Sequence, residues 1–98
     1  GSFVTPEARA VSAALAEATV KDDGTLSLNF TPAGRDAYPI SSASYLMFYR
    51  SMGDAAKETA LRHFAVWALT DGQELAEGLD YAPLPESVQT SAVGAVRL

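Results

Sequence analysis

The chain has 98 residues, the size of one small domain, and its net charge of −5 with a pI near 4.6 argues against nucleic acid or an anionic membrane as partner, since both demand clustered Lys and Arg. It has no cysteine, which excludes disulfides, thiolate nucleophiles and Cys-based zinc sites. Apolar residues make up 48% of it but lean toward alanine, so the expected core is thin and something outside the chain could complete it.

No apolar run approaches the roughly 20 residues that span a bilayer. The opening Gly1-Ser2 reads as a cloning scar, and no signal peptide is recognised, so targeting says nothing about localisation. Thr5-Pro6-Glu7 predicts a helix start: a hydroxyl cap, proline at the first helical position and an acid in the first turn. Val4, Ala8, Val11, Leu15 and Ala18 recur at helical spacing and supply one modest apolar stripe. Lys21-Asp22-Asp23-Gly24 is a turn cluster that ends this helix.

Residues 25–30 alternate, with Leu26, Leu28 and Phe30 on one face and Ser27 and Asn29 on the other, which predicts a half-buried strand. Thr31-Pro32-Ala33-Gly34 breaks it. Residues 40–49 predict a second strand. Its Tyr45-Leu46-Met47-Phe48-Tyr49 core is continuously apolar, as a strand covered on both faces would be. Pro39 sits at its entry, where a missing N–H is tolerated.

Ser51-Met52-Gly53 turns the chain and Asp54 is placed to cap a helix. Ala60, Phe64 and Trp67, with Leu61, Ala65 and Ala68, form the strongest helical stripe in the chain. Thr70 and Gln73 have the spacing of a capping box for a short second helix, and Gly78 suits its left-handed C-terminal cap. Pro83 and Pro85 fix an extended connection, and Pro85 opens a last helix whose apolar side is Val88, Ala92 and Ala95 or Val96. The order is α, β, β, α, α, α. Two strands do not make a stable sheet unless helices cover them, and a doubly covered second strand calls for further strands beside it.

The chemical inventory is sparse. His63, the only histidine, reads as a partly exposed helix residue, lacking the nucleophile and orienting acid a catalytic base needs. Glu58 is the one acid near it, and no H-E-x-x-H pattern exists. Ser41, Ser42 and Ser44 could donate to an anion, but no G-x-S-x-G or S-x-x-K pattern surrounds them, and small residues also suit a strand crossing a crowded hinge. Asp22-Asp23-Gly24 lacks the spaced ligands of a calcium loop. The glycines around Arg35 and at Gly53 lack the Walker lysine and the G-x-G-x-x-G pattern. Glu58, Glu74, Glu77 and Glu86 read as solvated helix faces. No residue is assigned a catalytic, metal-binding or cofactor-binding role.

Phe3-Val4-Thr5-Pro6 with its alanine-rich helix, Asp36-Ala37-Tyr38-Pro39-Ile40-Ser41 before an aromatic strand, Trp67-Ala68-Leu69-Thr70 with Gln73, and Tyr81 to Pro85 occur in an order that resembles the C-terminal third of the periplasmic phosphate-binding proteins of ABC transporters, the PstS family. The similarity runs from Phe3 to about Val96. It implies an α/β fragment of a type II, two-lobed periplasmic-binding-protein-like fold with phosphate held between the lobes. On that picture residues 3–37 are a helix and strand of one lobe, residues 38–50 a hinge-crossing strand, and residues 51–98 the C-terminal helices of the other lobe.

The resemblance further implies a periplasmic or extracellular-face location. The partners of the intact protein would be inorganic phosphate and the ABC permease subunits. The family's phosphate contacts, including an Arg-Ser-Gly-Thr-type stretch, lie upstream of the region matched here. Arg9, Arg35, Arg50, Arg62 and Arg97 do not match them, so no phosphate-binding residue carries over. The alternative is a small stand-alone or dimerising interaction domain of the same descent without ligand binding.

Overall fold

A computed structural model of the chain describes residues 3–97; the Gly1-Ser2 reading and Leu98 lie outside them. The first helix, α1, runs Ala8–Ala16, two residues later than Thr5-Pro6 suggests. The reason is local: Glu7 N–H donates to the Thr5 carbonyl at 2.8 Å, closing a three-residue turn about Pro6 before the helix begins. Glu7 is then the cap, with extended backbone and no side-chain cap bond. Ala10, Ala14 and Leu15 are buried on the inner face of α1.

A strand absent from the sequence reading follows. Thr19–Val20 (β1) pairs antiparallel with Leu26–Ser27 (β2), in the register Thr19↔Ser27 and Val20↔Leu26. The turn cluster does close this hairpin: Lys21 N–H donates to the Thr25 carbonyl at 2.8 Å, and Gly24 adopts φ 86°, a conformation glycine takes without a Cβ clash. The strand expected over residues 25–30 shrinks to its first part. Past Ser27, the Asn29 side chain accepts from the Thr31 N–H at 3.0 Å and from its hydroxyl at 3.2 Å, an Asx-type turn that leads the chain out of the ladder.

Residues 40–49 are not a strand. They have no ladder partner among the described residues, and Ile40, Tyr45, Leu46, Met47 and Tyr49 are exposed. Strand geometry is stabilised by a neighbour, and the four paired residues of the hairpin are the whole sheet described. The composition fits a covered strand; the covering is missing.

The second helix, α2, is Ala55–Leu69, and the Asp54 side chain caps it as expected, accepting from Ala56 N–H at 3.1 Å and Lys57 N–H at 3.2 Å. Of its predicted stripe only one half turns inward. Ala65 is buried and Leu61 and Ala68 are half-buried, whereas Ala60, Phe64 and Trp67 are exposed. The last helix, α3, is Glu86–Arg97. The Pro85 carbonyl accepts from Val88 and Gln89 N–H at 3.0 Å each, so Pro85 stands just outside the helix it opens. Val88 is buried and Ala92, Val93 and Val96 are half-buried, while Ala95 is exposed. The packed unit is α2 against α3, with α1 touching α3. Tyr38 N–H donating to the Ala10 carbonyl at 3.0 Å and Ser12 Oγ donating to the Pro83 carbonyl at 2.5 Å tie α1 to the loops around it.

Two outcomes are expected at the local level. Asp54→Ala should destabilise the fold by about 1 kcal/mol, read from urea unfolding, because two first-turn amides lose their acceptor. Asp23 is the second. Hydrogen bonds from the Thr25 hydroxyl (2.6 Å) and then the Thr25 N–H (3.0 Å), helped by Lys21, hold its carboxyl below the ordinary aspartate value. A lowered folded-state pKa means this contribution is present above the unfolded value and is lost as pH falls through the folded one. An NMR titration should show a low midpoint for Asp23 that rises part of the way toward the ordinary range in Thr25→Val, which removes the hydroxyl bond and keeps the N–H bond.

Candidate functional site

In the segment from Trp67 to Pro85, Gln73 joins the end of one helix to the loop before the next. The expected capping box is not formed. Thr70 Oγ1 donates backward to the Val66 carbonyl at 2.7 Å, and its side chain caps nothing. Gln73 Nε2 instead donates to the Ala68 carbonyl at 2.7 Å while its Oε1 accepts from Leu84 N–H at 2.7 Å. One amide thus satisfies an orphan carbonyl at the end of α2 and a lone N–H in the Pro83–Pro85 connection, groups a helix end and a proline-flanked residue leave open.

The expected short helix is two 3₁₀ segments, Asp71–Leu75 and Glu77–Leu79. Gly78 lies inside the second, and the left-handed position falls at Asp80, with φ 63° and ψ 28°. Tyr81 N–H reaches the Ala76 carbonyl at 2.9 Å and Asp80 N–H the Glu77 carbonyl at 3.1 Å, the paired bonds of a Schellman motif. Aspartate tolerates this backbone better than most side chains do. Gly72 lies against Trp67. A Cβ there would sit 3.1 Å from the Trp67 carbonyl oxygen and 3.2 Å from its ring.

His63 sits on the exposed side of α2 and lines an open cleft of about 530 Å³ with Arg62, Trp67, Asp71 and Arg97. The sequence reading did not bring Arg62, His63 and Arg97 together, because the two arginines lie on different helices far apart in the chain. The cleft nevertheless fits a phosphate poorly. The Asp71 carboxylate lines the same space, and Trp67 and Arg97 stand in the last turns of α2 and α3, where helix carbonyls carry partial negative charge. Arg62 also donates to the Arg50 carbonyl at 3.3 Å.

Arg35 lies apart, in an open cleft of about 760 Å³ with Phe30, Pro32, Tyr38 and Pro39. Arg9 approaches Glu7 at 3.9 Å on the surface. Ser41 is buried with its hydroxyl donating to the Tyr38 carbonyl at 2.7 Å, and Ser42 and Ser44 are exposed. The serine cluster is therefore split between a turn and solvent. Asp22 and Asp23 serve the hairpin turn. Among the described residues no group of His, Cys, Asp and Glu is placed to hold a metal ion, and no helix is long and apolar enough to cross a membrane.

No protein-family model matches the chain, and no solved structure does. Curated relatives do. Over 89 residues, 90% of the chain, it is 32% identical to the phosphate-binding protein PstS of Xylella fastidiosa (strain 9a5c) and to that of Pasteurella multocida. It is 28% identical over the same share to the Haemophilus influenzae protein. The sequence is PstS-like. The chain spans about a quarter of the length of the curated relatives it matches, between 24% and 27%. Those relatives are named as phosphate-binding proteins, not as enzymes.

The Gln73 junction yields a mutational expectation. Gln73→Ala leaves the Ala68 carbonyl and Leu84 N–H without partners in a half-buried place, and should cost about 1–3 kcal/mol in denaturant unfolding. Gly72→Ala should cost about 1 kcal/mol through the close approach to Trp67, with the indole fluorescence of the native state shifted because the ring must move.

Proposed function

We propose that the chain is the C-terminal part of a PstS-like phosphate receptor, and that it supplies scaffold, not phosphate contacts. The observation that carries this is the 32% identity over 89 residues to PstS proteins of which it spans only about a quarter. The structure supports the same reading in its own terms. Residues 40–49 have the composition of an inner strand and no sheet to enter, as a piece of a larger α/β body would. The intact receptor would bind inorganic phosphate on the periplasmic or extracellular face and deliver it to an ABC permease.

In this reading residues 3–37 complete one lobe, residues 38–50 cross the hinge, and residues 51–98 pack on the other lobe of a type II fold. The segment does no catalytic chemistry. A phosphate site needs several amides, hydroxyls and a guanidinium converging on one point; Arg62 and Arg97 share a cleft with the Asp71 carboxylate, and Arg9 and Arg35 lie elsewhere.

Two measurements test the reading. Isothermal titration of the 98-residue chain with inorganic phosphate should show no micromolar binding; a micromolar Kd would overturn the scaffold role. Replacing the matched quarter of the Pasteurella multocida protein with residues 3–97 of this chain should yield a folded chimera that still binds phosphate. A chimera that fails to fold would overturn the assignment to this region of the receptor.

A further inference from the structure

We draw no further inference here: the strongest candidate, the open cleft that Arg62, His63 and Trp67 of α2 share with Asp71 and Arg97, sets a carboxylate beside its guanidiniums, has Arg62 already bonded to the Arg50 carbonyl, and carries nothing because nothing in the structure shows what fills or covers it.

Discussion

The thinness of the core governs the rest of this structure. Among the described residues the buried apolar set is Ala10, Ala14, Leu15, Ala37, Ala65 and Val88, four of them alanines that remove little area from water. The accessible surface, 7249 Å², stands well above the roughly 5,400 Å² expected for a folded monomer of this mass. The radius of gyration, 14.9 Å, likewise exceeds the roughly 13 Å of a compact domain of this length. Apolar side chains that could enlarge the core exist. Phe30, Ile40, Leu46, Met47, Phe64 and Trp67 are all exposed, because the few elements present cannot enclose them.

Where packing is scarce, polar side chains bonded to backbone take over the work of fixing the loops. Glu17 ends α1 and spends both carboxylate oxygens on the Ala33 and Gly34 amides, at 2.8 and 3.1 Å. Glu58 accepts from Met52 N–H at 2.6 Å ahead of the helix that carries it. Gln73 joins the end of α2 to the proline connection, and Gln89 Nε2 donates to the Leu84 carbonyl at 2.7 Å from the start of α3. The last two meet at Leu84, whose N–H and C=O are thereby both satisfied by glutamine side chains. Bonds of this kind define where a loop goes, yet each contributes only modestly to net stability. The fold is specified more firmly than it is stabilised.

The legibility of the sequence follows the same division. Features decided within a few residues were readable: the Asp54 cap, the turn at Asp22-Asp23-Gly24, and the entry to α3 after Pro85. Features decided by a partner were not. The alternation at residues 25–30 is a true statement about faces, but the extent of a strand depends on what lies beside it. Thr70 and Gln73 have capping-box spacing, but Gln73 found better use in bridging two distant backbone groups, which spacing cannot reveal. The left-handed residue fell at Asp80 instead of Gly78 because the chain extends its last 3₁₀ turn by two residues before closing. Of the clefts, nothing in the sequence pairs Arg62 with Arg97, since that proximity is created by α3 folding back on α2.

The most useful failure is the run at residues 40–49. Its composition describes an environment, a strand covered on both faces, and the structure shows the residues without that environment. A strand deep in a sheet needs no partner close by in sequence, so its pattern can depend entirely on residues far along the chain. The run at residues 40–49 is thus a local pattern that describes surroundings which the described residues do not supply.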